Sequence, residues 1–158
     1  MSRFLETRRI LVPIDFSESG RVILDYAVDV ARDRGAEVVL LHVVGIPPVP
    51  FDPAYGVAAD PKMLQELRAA AEKGLAELAA SVRPAANVKV STRVLSGAPS
   101  REIVREAREG SYDLVVVGTH GRTGLRHVFL GSVAENVVRL APCPVLTVRL
   151  KGFEIEKL

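Results

Sequence analysis

Tryptophan is absent from this 158-residue chain, and phenylalanine and tyrosine leave the aromatic share at 5%. A platform that stacks successive bases needs more rings than that, so single-strand nucleic-acid binding is disfavoured. The one cysteine, Cys143, excludes an internal disulfide framework and a multi-cysteine metal site. It stands between Pro142 and Pro144, ahead of an apolar run, and reads as a small buried residue. Charge of one sign is also lacking. The 21 Lys and Arg against 19 Asp and Glu leave a net +2, with the basic residues interspersed among acids. A nucleic-acid footprint would group them into a patch or arm. No apolar run reaches the length of a bilayer span, and "MSRFLETRRILVPID" has no long apolar core followed by a small-residue cleavage site. The resulting expectation is a cytoplasmic protein with neither nucleic acid nor membrane as partner.

What is present is a globular composition, 48% hydrophobic and 25% charged, in a length that suits one domain over 1–158. Strand and helix signals alternate from end to end. Short apolar runs at 10–14, 36–44, 88–95, 113–118 and 144–150 read as strands, and those apolar on both faces imply helices on both sides. Between them, Ser17 is an expected N-cap for a helix with Ile23, Ala27, Val30 and Ala31 inward and Gly35 as its stop. Asp60–Pro61 opens a second helix, with an apolar stripe at Leu64, Leu67, Ala71, Leu75 and Leu78. Gly74 inside it costs about 1 kcal/mol against Ala. Pro99 opens a third, with Ile103 and Ala107 inward, ending near Gly110. A fourth covers 133–140. This β-α-β-α-β-α-β-α-β order implies an α/β fold, an open parallel sheet with right-handed crossovers. Such sheets bind ligands beyond the carboxyl ends of their strands, where strand order reverses. The Pro-rich stretch over 45–61 is either an exposed variable connection or a flap over the ligand. Residues 151–158 form a C-terminal tail.

The segment "VVVGTHGRTGLRHVFLGSVAEN" leaves one of those strand ends. It is either a solvated loop or a seat for an anion. Gly118 ends a strand, Gly131–Ser132 begins a helix, and Ser132 with Glu135 fits a capping box. Helix N-termini have unpaired N–H groups and a partial positive charge, which suits phosphate. The spacing is G-x2-G-x9-G-S: Gly118, Gly121, Gly131, Ser132. It is neither a Walker P-loop nor the G-x-G-x-x-G dinucleotide turn. His120, His127, Arg122 and Arg126 add donors nearby, and either phosphate or solvent could take them. His42, within an apolar strand, reads as a hydrogen-bonded core residue.

With those residues on the page, the chain resembles the universal stress protein family over nearly its whole length. The likeness runs through "ILVPIDFSESG", "LLHVV", "GAPSREIVREAREGSYDLVVVGTHGRTGL" and "LGSVAENVVRLAPCPVLTVRL". G-x2-G-x9-G-S resembles the signature of the family's ATP-binding branch. The resemblance implies a five-stranded parallel sheet in order 3-2-1-4-5, Rossmann-like, of the adenine nucleotide alpha hydrolase-like type. It implies that Asp15, beside Pro13 and Ile14, and the backbone at Val43 receive adenosine. Gly118, Thr119, Gly121 and Gly131 would wrap ribose and phosphates, with Arg122 near them. Ser132, Val133 and Ala134 would hold the phosphate tail. ATP with Mg²⁺ or Mn²⁺ as counter-ion, a homodimer through Val145 to Leu150, and a protein partner reading a nucleotide-dependent switch are further implications. Two alternatives stand beside the switch. One is slow ATP hydrolysis or self-phosphorylation, with Ser132, Thr119 or Thr123 as acceptor. The other is a dimeric scaffold without nucleotide.

Overall fold

The computed structural model describes residues 6–45, 61–82, 86–119 and 130–149. Nine elements follow in order: β1 (Arg9–Pro13), α1 (Gly20–Arg34), β2 (Glu37–Gly45), α2 (Pro61–Ala80), β3 (Val90–Gly97), α3 (Pro99–Glu109), β4 (Leu114–Gly118), α4 (Ser132–Leu140) and β5 (Val145–Val148). The strands form one sheet in the order β3-β2-β1-β4-β5, every pair parallel. Strand order reverses between β1, which meets Val38 through Ile10 on one side, and β4, where the same Ile10 meets Leu114.

Alternation along the strands feeds two cores. Ile10, Val12, Val38, Leu40 and Val116 pack with Ile23, Leu24, Ala27 and Ala31 of α1 and Ala71 and Leu75 of α2. Leu11, Val39, Leu41, Val115 and Val117 pack with Ile103 and Ala107 of α3 and Ala134 and Val137 of α4. Ile10, Leu11 and Val12 are wholly buried because β1 is covered on both faces. Cys143, read as a small buried residue, is only partly buried and packs against the rim of the second core, and burial, with a smaller effect from Asp113, pushes its thiol pKa up. No helix among the described residues is long and apolar enough to cross a membrane.

Several boundaries differ from the sequence pattern. Ser17 is not the cap of α1. Its amide and hydroxyl both donate to the Asp15 carboxylate, and Ser19 takes the N-cap position. Val30 is only partly buried, while Leu24 and Val28 complete the inward face of α1. Gly35 does end that helix, in the left-handed conformation at φ 65°, its amide reaching the carbonyls of Ala31 and Arg32. β3 lies two residues later than its apolar run, because pairing runs from Val38↔Val90 to Gly45↔Gly97. It is an edge strand and mostly exposed. Asp113 stays outside β4 and accepts from the amides of Arg8 and Arg9. Leu67, placed on the core stripe of α2, is 44% exposed. Gly45 and Pro61 belong to β2 and α2. The rest of the expected loop, Leu150 and the tail lie outside the described residues.

Candidate functional site

The carboxyl end of β1 is tied on one side by backbone and on the other by a histidine. The Ile14 amide donates to Leu41 O at 2.8 Å, and His42 Nδ1 lies 2.7 Å from Ile14 O. A carbonyl only accepts, so Nδ1 carries the proton of this bond. His42 is therefore hydrogen-bonded, as read from sequence, and it holds the last turn before Asp15. Asp15 in turn accepts from Ser17 N at 3.0 Å and Ser17 Oγ at 2.6 Å, both on Oδ1. Ser17 has one hydroxyl proton and spends it on the carboxylate, so Ser19 Oγ donates across their 2.6 Å contact. Oδ2 of Asp15 takes no hydrogen bond from the described residues.

The carboxyl end of β4 is tied to the start of α4 through one residue. Thr119 N donates to Val148 O at 3.0 Å, and Thr119 O accepts from Gly131 N at 2.8 Å. The second bond brings Gly131 back to the strand end that Gly118 leaves. Gly131 is the N-cap of α4 in an extended conformation, φ −65° and ψ 151°, with no side-chain cap. Ser132 is then the first helical residue. The expected Ser132–Glu135 capping box is absent for that reason: the serine stands one position too late to cap. The first backbone bond of the helix is Glu135 N to Gly131 O at 2.8 Å. The amides of Ser132, Val133 and Ala134 precede it and have no backbone partner among the described residues. They form the positive pole that an anion would meet.

A pocket of about 450 Å³ opens between these two strand ends. Pro13, Ile14, Asp15, Val43, Gly118, Gly131, Ser132, Val133 and Ala134 all line it, so residues chosen from sequence meet around one space. Thr119 is buried, and its backbone ties β4 to β5 and to Gly131. Gly121 and Arg122 of the predicted set lie outside the described residues, as do His120, Thr123, Arg126 and His127. Sequence reasoning missed the apolar walls. Ile23, Val44 and Leu67 come from the α1–α2 side, and Pro99, Ile103 and Val117 from the α3–α4 side. The exposure of Leu67 follows from this place, since it borders the pocket instead of the sheet. Apolar walls with a few convergent polar groups are the usual make-up of a small-molecule site. Among the described residues no group of three His, Cys, Asp or Glu gathers to hold a metal.

Comparison with known proteins finds relatives in sequence and in fold. The model of the universal stress protein family matches residues 6–149. Universal stress protein MJ0531 of Methanocaldococcus jannaschii is 36% identical over 143 residues, covering 90% of this chain and 82% of that protein. The solved structure of protein MJ0577, from the same organism, is similar at a TM-score of 0.79 and 28% identity, over 93% of this chain and 99% of the other. A universal stress protein solved in complex with cAMP is similar at a TM-score of 0.65 and 26% identity, over 91% and 98%.

Proposed function

The chain belongs to the universal stress protein family, and from that premise we propose that it binds ATP at the carboxyl ends of β1 and β4 and works as a nucleotide-dependent switch. One observation carries the reading: Asp15 and the first residues of α4, whose leading amides have no backbone partner among the described residues, line a common pocket of about 450 Å³. The apolar walls suit a base, Asp15 and the Val43 backbone suit the adenosine end, and the helix N-terminus suits phosphates. The family relative solved with cAMP supports an adenine nucleotide in a site of this fold. Mg²⁺ or Mn²⁺ would neutralise the phosphates and, given the scarcity of carboxylates here, would ride on them. Because the pocket spans the tips of β2, β1 and β4 and the start of α4, a bound nucleotide would tie both halves of the chain together. A protein partner can read that difference.

The same reading includes a homodimer through β5. This strand has β4 on one side only, and Leu146 on it is exposed, as are Val138 and Leu140 of the adjoining α4. An edge with no further strand among the described residues, beside apolar side chains, suits pairing with a second copy. Calorimetric titration with ATP, ADP, AMP and cAMP tests the site, with ATP expected to bind tightest. Absence of binding at millimolar ATP sinks the proposal. Light scattering after gel filtration tests the dimer, which Leu146→Lys is expected to dissociate.

A further inference from the structure

Phe16, immediately after Asp15, holds a left-handed backbone conformation at φ 59°. A residue with a Cβ is disfavoured there, and such strain persists only where the surroundings impose it. Two contacts do so. The Phe16 ring packs on His42 with centroids 4.6 Å apart, and it lies in the notch that Gly74 leaves on α2. A Cβ at residue 74 would stand 2.8 Å from Phe16 Cε1. His42 in turn holds Ile14 O, so ring and imidazole grip the residues on either side of Asp15. Burial of apolar area does not account for the arrangement, because Phe16 remains 45% exposed. Gly74 likewise gains a purpose beyond its poor helix propensity: it makes room for the ring.

The geometry points to Phe16 as a positioning residue of the ligand site. Its ring, docked between His42 and the Gly74 notch, enforces the left-handed turn that aims Asp15 into the pocket. The assignment rests on the nucleotide reading above and names the device by which α2, remote from the phosphates, acts on that site. If the ring is lost, a Cβ-bearing residue 16 relaxes toward negative φ and Asp15 leaves its place.

Replacing Phe16 by Gly and by Ala separates this from ordinary packing. Glycine accepts positive φ and alanine resists it, so ATP affinity should fall in the order wild type, Phe16→Gly, Phe16→Ala. The alanine loss should be about tenfold, the factor expected from the left-handed preference forfeited. A purely packing role makes glycine equal to alanine or worse. Gly74→Ala, which displaces the ring from a distance, should weaken ATP binding by several fold (on the scale of a partly relaxed turn) while the melting temperature holds or rises. Circular dichroism confirms that each variant is folded. If wild type binds ATP but Phe16→Ala binds it equally, or Phe16→Gly binds it no better than Phe16→Ala, the assignment is overturned and the nucleotide site stands. If wild type does not bind ATP, the nucleotide reading falls and this assignment falls with it.

Discussion

Asp15 divides its carboxylate between two tasks. Oδ1 carries both bonds from Ser17 and shapes the turn, while Oδ2 is the oxygen that the nucleotide reading assigns to the ligand. Asn at this position keeps an acceptor for Ser17 and presents an amide nitrogen where Oδ2 stood. The turn should survive, and the acceptor for a ligand hydroxyl or amine should not. Hydrogen bonds to a charged group contribute about 1.5–3 kcal/mol, so Asp15→Asn should lower ATP affinity by roughly tenfold to a hundredfold by calorimetry. Its melting temperature should stay near wild type. Asp15→Ala should lose both, with a visible drop in stability as well. Asp15 was legible because its chemistry and its place at a strand end coincide in the sequence. His42 and Phe16 were not legible as supports of the site. Their partners lie 28 residues away in Ile14 and on a different helix at Gly74, distances that spacing along the chain does not encode.

Helices give the same lesson one scale up, through their ends. Strand and helix identities could be read from apolar runs and periodicity, since those reflect burial, which every residue of an element shares. The starts of α2 and α3 could be read too, from a proline at the first helical position, Pro61 and Pro99. Those of α1 and α4 could not, because one bond decides each: Asp15 captures Ser17 ahead of α1, and Thr119 O captures Gly131 ahead of α4. The latter leaves α4 without a side-chain cap, and this suggests a trade between stability and binding. Gly131 has φ −65°, which any residue adopts, so its glycine is not demanded by the backbone. Aspartate there is a good N-cap and would complement the helix dipole by about 0.3–1 kcal/mol. Its carboxylate would also occupy the amides reserved for phosphate and repel the anion. Gly131→Asp should therefore melt slightly higher and bind ATP at least about tenfold more weakly, as a misplaced charge implies. Unchanged affinity would mean that phosphate does not seat on these amides. Gly35 is the opposite case. At φ 65° alanine should cost about 1–2 kcal/mol of stability by thermal melting, with ATP binding untouched.

Across the whole molecule, the sheet has different chemistry at its two ends: the candidate pocket at the carboxyl end and a bonded polar network toward the other. Arg9 Nε and Lys89 Nζ both reach Glu37, at 2.7 and 2.9 Å. Arg9 also bonds Gly110 O and lies over the Tyr112 ring. Beneath α3, Glu106, with a side chain only 3% exposed, accepts from Tyr112 Oη at 3.1 Å and pairs with Arg93 at 3.2 Å. Nothing in the sequence announced this set, because its members come from β1, β2, α3 and β3, and pairing between them exists only after the sheet has formed. It does predict an alkaline limit. Burial first, and the Glu106 charge second, push the Tyr112 pKa from 10.0 up to about 12. Below pH 10 the phenol is protonated in both folded and unfolded chains, and stability is unaffected. Between about pH 10 and 12 the unfolded chain releases the proton and the folded chain retains it, so stability falls as pH rises. The full loss is on the order of 3 kcal/mol, from a shift of about two units. Melting curves from pH 8 to 12 should show a steep decline starting near pH 10. Tyr112→Phe should lower stability at neutral pH, by about 1 kcal/mol for the lost hydrogen bond, and flatten the decline. An equally steep decline in the Phe variant would assign the alkaline transition to other groups and leave Tyr112 as packing alone.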